Sequence, residues 1–234
     1  MRNTPPSESP NREEASPERI VRVATELFAE HGYDGVSTRQ LAAATGLSVA
    51  TVHHHIGSKR ELYLAVYRGL LVTAESFVQN AMERVSAASV QDPEMLHDLP
   101  AELVNSFVDV VAEDPIRARL FMRHWLDGAD EFRGTETELS LPLYRKVRDF
   151  LAAAEAAGIM RLDVDAGLFM RGFDWMVYGY FVAGAFDWKE WRSDPHDPDK
   201  LAEFKLFLRK YAFRMMGVQE GLDSSAARRP SCET

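Results

Sequence analysis

The chain has 234 residues, of which 46% are hydrophobic, enough to fold completely as one or two domains. Its 27 Lys and Arg against 36 Asp and Glu give a net charge of −9, which excludes a generally basic nucleic-acid coat. The single cysteine, Cys232, excludes an internal disulfide.

Charge is unevenly placed. Residues 1–65 carry seven basic and eight acidic side chains, so most of the negative excess lies beyond them. The longest uncharged apolar run, Trp175 to Phe186, is too short to span a bilayer, and no charged-then-apolar signal follows Met1. A cytoplasmic protein with no membrane partner is expected.

Met1 to Ser16 is rich in Pro, Ser and charge and is expected to be a disordered arm. Arg2 and Arg12 could reach a minor groove, although a solvated tail is the more ordinary reading. Ser16-Pro17 supplies a cap and an N1 proline for a first helix. Ile20, Val23, Ala24, Leu27 and Phe28 fall on one face of it, and Gly32 ends it. Two short helices and the start of a third then fill Ser37 to Lys59. Ser37 with Gln40 forms a capping box, Thr45-Gly46-Leu47 makes a tight turn, and Ser48 caps a helix carrying Val49 to His55. Ser58 with Glu61 is a second capping box, opening a helix at Lys59.

Two short helices around a glycine turn have the spacing of a helix-turn-helix, a spacing that any pair of packed short helices can share. If it is one, Ser48, Val49, Ala50 and Thr51 form the first turn of a recognition helix. Thr51 could hydrogen-bond a base edge or phosphate, and Val49 and Ala50 offer apolar surface to a thymine methyl. Thr38, Arg39 and Lys59 open helices, where an anion meets side chains and free backbone N–H groups together.

The run from Leu27 to Leu62, with Gly32-Tyr33, Ser37-Thr38-Arg39, Ala42, Gly46 and Ser48 through Lys59-Arg60-Glu61-Leu62, resembles the N-terminal domain of the TetR family of bacterial transcriptional repressors. The resemblance implies DNA contacts at Thr38, Arg39, Thr51, His53, His54 and Lys59. His53 stands where the family usually has tyrosine, Ile56 where it usually has phenylalanine, and Val49 at a position often held by lysine or proline.

His53, His54 and His55 do not form a metal site, because successive helix residues point about 100° apart. No metal or cofactor is expected. Phosphate contacts by His53 and His54 would strengthen as pH falls toward ~6.5.

The helix from Lys59 is expected to continue to about Ser86 as a strut between the DNA-binding part and the rest. Ala87 to Pro100 reads as turn-rich. Helices follow at about Ala101–Ala112, from Pro115 through Trp125, and at about Leu141–Ala157, with a polar loop over Gly128–Thr137. No period-two pattern appears anywhere, so the fold class is all-α; the resemblance implies a three-helix helix-turn-helix domain over 17–62 and a helical ligand-binding and dimerisation domain over 63–217. Residues 218–234 read as a disordered tail.

The last two helices, about Asp165–Trp188 and Asp197–Met216, are apolar on more than one side. They either fill a large monomer core or meet a second subunit, and the resemblance implies the second. Gly172, Met176, Gly179, Ala183 and Phe186 form the first stripe; Phe204, Leu208 and Tyr211 lie on the face of the last helix. The resemblance also implies an inducer pocket in the helical domain. Phe107, Phe121, Met122, Trp125, Trp175 and Tyr178 are the side chains suited to line it, though aromatic stripes are more often ordinary core. Asp174 could answer a cationic ligand; a pair with Arg171 or a solvated position is the more ordinary expectation.

The implied partners are double-stranded operator DNA, a second copy of the chain and an unidentified small-molecule effector. An enzyme is not expected: G-x-S-x-G, H-E-x-x-H and G-x-x-x-x-G-K are all absent. A helical protein-interaction module, or an activator without small-molecule control, is the alternative.

Overall fold

The computed structural model describes residues 17–91, 93–127 and 132–217. The expected N-terminal arm, the first four positions of the expected polar loop (128–131) and the C-terminal tail lie outside those residues. Within them, α1 (Pro17–His31), α2 (Thr38–Thr45) and α3 (Val49–Ile56) precede the long α4 (Lys59–Gln91). Then come α5 (Pro93–Ala112), α6 (Pro115–Asp127), α7 (Arg133–Ala156) and α8 (Ala166–Ala183). A hairpin of β1 (Ala185–Asp187) and β2 (Trp191–Ser193) leads into α9 (Pro198–Met215).

The architecture is helical, as the periodicity indicates, with three departures. First, α4 and α5 nearly abut, where a turn-rich stretch is expected. Pro100 sits inside α5, and Pro142 inside α7, so neither proline marks a helix start. A proline there removes one backbone donor; Pro100 is buried and lines a cavity, so its ring is used as wall. Second, α7 begins at Arg133, inside the stretch read as loop.

Third, α8 ends at Ala183 and a two-stranded hairpin follows, contrary to the expected absence of strands. Its turn is organised by Asp187, whose Oδ1 accepts from the Lys189 and Glu190 N–H groups at 2.7 and 3.2 Å. Trp191 closes the turn at φ 67°, the left-handed residue that a three-residue hairpin needs. Two three-residue strands are too short to show an alternation.

One continuous core runs through both ends of the molecule, from Ile20, Phe28 and Leu41 to Val177 and Leu208. The strut α4 contributes Leu62, Tyr63, Val66, Tyr67 and Leu70 to it, joining the short helices to the larger bundle. Further ties hold the seam. The Arg123 guanidinium donates to the Glu30 carbonyl at 2.8 Å, and Arg60 donates to Thr135 Oγ1 at 3.0 Å.

Candidate nucleic-acid interface and buried cavity

The helix-turn-helix is built from short-range hydrogen bonds. Gln40 N–H donates to Ser37 Oγ at 3.2 Å while Ser37 N–H donates to Gln40 Oε1 at 2.8 Å, closing the first capping box. Gly46 takes φ 68° and lets the chain reverse, so that Leu47 N–H reaches the Ala42 carbonyl at 2.9 Å. Ser48 Oγ accepts from Thr51 N–H at 3.0 Å and caps α3. The second box repeats the first: Ser58 N–H donates to Glu61 Oε2 at 2.7 Å, and Glu61 N–H to Ser58 Oγ at 3.2 Å. The Ser58 N–H and the Ser58 hydroxyl, which donates to the same Oε2 at 2.8 Å, hold the Glu61 carboxyl below its ordinary pKa.

This frame leaves an outward surface. Arg39, Ser48, Val49, Ala50, His53 and His54 are exposed, while Thr38 and Thr51 are half-buried. The opposite side of α3 sends Val52 into the core at 2% exposure, which fixes the rotation of the helix. The Thr51 hydroxyl lies 2.8 Å from Ser48 Oγ. Lys59 is turned inward: its ammonium donates to the Tyr33 carbonyl at 3.0 Å and lies 4.0 Å from the centre of the Tyr33 ring. What it presents outward is the start of α4 and whatever donors remain. Sequence reasoning missed this latch, since Tyr33 and Lys59 are 26 positions apart.

The second feature is a cavity of about 190 Å3 within the larger bundle, walled mainly by α4, α5, α7 and α8, with Phe121 of α6 and Ala212 of α9. Of the expected lining residues, Phe107, Phe121 and Tyr178 are on its wall, and Met122, Trp125 and Trp175 are not. Trp175 follows Asp174 on α8 and so points about 100° away, leaving it 56% exposed. Trp125 packs between Phe121, at 5.2 Å, and Tyr178, at 5.9 Å, behind the wall. Met122 packs against the core.

Asp174 is on the wall, half-buried and not in an ion pair with Arg171. It accepts from the Tyr144 hydroxyl at 3.1 Å, and burial pushes its carboxyl up to about 7, against the lowering effects of that hydrogen bond and of Arg171. The Arg171 guanidinium instead lies over the rings of Trp125 and Tyr144, 4.9 and 5.1 Å from their centres. Burial, reinforced by Asp174, raises the Tyr178 phenol as well.

A column of rings connects the two features. Phe28 of α1 meets Tyr63 edge-on at 5.0 Å, and Tyr63 stacks on His124 at 5.9 Å. His124 stacks on Tyr67 at 4.1 Å, Tyr67 approaches Phe121 at 6.3 Å, and Phe121 stacks on Tyr178 at 4.9 Å. Two buried hydrogen bonds brace it, Tyr63 to His124 Nδ1 at 3.0 Å and Tyr67 to Ser140 at 2.7 Å.

The model for bacterial regulatory proteins of the tetR family matches residues 20–66. The transcriptional repressor AcnR of Corynebacterium efficiens is 33% identical over 150 residues, covering 64% of this chain and 71% of that protein. The chain belongs to the TetR family. AcnR of Corynebacterium glutamicum is 34% identical over 113 residues, 48% of this chain and 57% of its own. Among solved structures, the fatty acid degradation regulator FadR of Bacillus halodurans shares the fold, with TM-score 0.62 at 16% identity over 91% of this chain and 99% of its own. These relatives make this TetR-family protein a transcriptional regulator rather than an enzyme.

Outside the core, this TetR-family chain exposes an apolar stripe on α8. Leu168, Trp175 and Val182 are exposed, with Gly172 and Gly179 between them and open space above both glycines. Their spacing of three and four keeps them on one face. The expected stripe is therefore rotated: Gly172 and Gly179 belong to it, whereas Met176 packs partly against the core and Ala183 sits at the far edge, exposed. On α9 the exposed large apolar residues are Leu206 and Phe207. Leu208 has 0% exposure within the single chain and has no surface to offer a second copy. Phe204 is stacked on Tyr180 at 3.8 Å, and half-buried Tyr211 lies 6.4 Å from Phe207. The face of α9 read as dimer surface is thus largely core-facing. Among the described residues no helix is long and apolar enough to cross a membrane.

Proposed function

We propose that this regulator is a repressor that binds a palindromic operator as a homodimer and is released by a small molecule in the helical bundle. The observation that carries the first part is α3: it is capped, anchored through Val52, and exposes Ser48, Val49 and Ala50 at its first turn. Those residues, with Thr51, would meet base edges. Thr38, Arg39, His53, His54 and the start of α4 at Lys59 would hold phosphates. Residues 17–62 act as the reading unit and 63–217 as the sensing and pairing unit. Pairing through the α8 stripe, with Leu206 and Phe207 of α9, would set two copies of α3 one DNA turn apart, about 34 Å.

The names of the AcnR relatives support repression. Effector control is supported by the cavity and by the ring column leading from it to α1. A ligand that shifts Phe121 and Tyr178 moves α6, on which α1 packs, and so tilts the helix-turn-helix. Ligand and operator must then weaken each other by the same factor.

A band shift with the DNA flanking the chain's own gene tests the reading. Wild-type protein is expected to retard that duplex at low salt, and Arg39→Ala with Thr51→Ala to abolish the shift without lowering the melting temperature by more than a few degrees. A protein that sediments as a monomer, or that leaves the flanking duplex unshifted, overturns it.

A further inference from the structure

The cavity is almost all carbon. Phe77, Phe107, Phe150 and Phe173 stand on its wall, and the polar atoms come from Asp174, Tyr144 and Tyr178. Among the described lining residues there is one acid and no base. The Tyr144 hydroxyl spends its only hydrogen on Asp174 Oδ2, so with Asp174 ionised this pair presents lone pairs to a ligand and no donor. Arg171, whose charge acts on Asp174, is not among the lining residues and is held over the rings of Trp125 and Tyr144.

A ligand carboxylate or phosphate placed here would meet a carboxylate, no cation on the wall and only the Tyr178 hydroxyl as a further side-chain donor, a combination that burial makes costly. A ligand that brings its own positive charge has the opposite balance. Its ammonium donates to Asp174, both charges are paired on desolvation, and its apolar body contacts rings whose faces attract cations. We propose that the effector class of this regulator is a lipophilic amine: an apolar, ring-bearing molecule with one basic nitrogen seated on Asp174. This rests on the reading of the cavity as the effector site. The raised carboxyl pKa is consistent with a group waiting for a counter-charge.

Three probes with one skeleton and three heads test it: phenylbutylamine, phenylbutanol and phenylbutyrate, titrated calorimetrically into the full chain. The amine is expected to bind at least about tenfold more tightly than the alcohol, the scale of one charge-assisted hydrogen bond, with the carboxylate weakest. In Asp174→Asn that preference is expected to vanish while the alcohol's affinity is kept. Tyr144→Phe, which retains the carboxylate, is expected to keep the preference and guards against a folding artefact in the first variant. Alcohol bound as tightly as amine, or carboxylate bound tightest, overturns the amine proposal and leaves the cavity reading standing. Failure of all three probes to bind sinks both.

Discussion

At the α1–α3 end, the shaping hydrogen bonds join residues three apart: Ser37 with Gln40, Ser48 with Thr51, Ser58 with Glu61. At the cavity end they join residues 30, 61 and 73 positions apart, as in Tyr144 with Asp174, Tyr63 with His124 and Tyr67 with Ser140. The reading head is therefore shaped by its own local chemistry and presents a fixed surface. The cavity end depends on how distant helices meet, and it contains a void and a carboxyl that burial disfavours ionising. A void forfeits packing contacts, and a buried acid resists ionisation. On the proposed function, the part that would answer a ligand is the part that carries the void.

The largest expected effect tests whether the ends are mechanically separate. Phe28 is fully buried and starts the ring column, so Phe28→Ala is expected to cost about 3–5 kcal/mol. All four tryptophans, Trp125, Trp175, Trp188 and Trp191, lie beyond α4, away from the α1–α3 end. Because one core spans both ends, urea unfolding followed by tryptophan fluorescence should shift as far as unfolding followed by circular dichroism. A fluorescence midpoint that stays at the wild-type value would mean that the head unfolds by itself and that the column transmits nothing.

Next comes the cost of the carboxyl. Unfolded, Asp174 ionises near its ordinary value of 3.8; folded, burial delays that to about 7. The folded state therefore holds the extra proton between those values, and stability falls as pH rises through that window and stays lower above it. The displacement sets a ceiling of about 4 kcal/mol. Asp174→Asn keeps an acceptor for Tyr144 and removes the charge. It should raise the melting temperature by several degrees at pH 8, with a gain that shrinks steadily toward pH 4. An equal gain at both pH values would assign the effect to shape instead of charge.

The same division explains what the sequence discloses. Capping boxes and a turn glycine are written in residues three or four apart, so α1 to α3 and the outward side of α3 can be read directly. The Lys59–Tyr33 latch, the rotation of the α8 stripe and the wall position of Asp174 depend on which helix lies opposite, which no spacing records. Trp175 looks like pocket because large rings favour interiors, yet it lies one residue, about 100°, past the wall. Pro100 reads as a boundary because proline ends most helices, and here it lines a cavity from inside one. The β1–β2 hairpin carries no signal beyond its Asp187 turn.

The smallest effect separates local from tertiary design with two glycines. Gly46 and Gly32 share a left-handed backbone, φ 68° and 72°, so alanine at either is expected to lose about 1–2 kcal/mol to conformation alone. Around Gly46 nothing lies within 4 Å of where a Cβ would stand, so that conformational cost should be the whole cost. At Gly32 the added Cβ would be 2.3 Å from Asp127 Oδ2, at the seam with α6, and Asp127 would have to move. Gly32→Ala should therefore lower the melting temperature more than Gly46→Ala. Asn tolerates the left-handed region, so Gly46→Asn and Gly32→Asn should each recover part of that conformational loss, leaving the contact with Asp127 as the difference that persists at Gly32. Equal losses for the two alanine variants would show that Asp127 yields freely, and that this edge of the seam is looser than the packing around Phe28 implies.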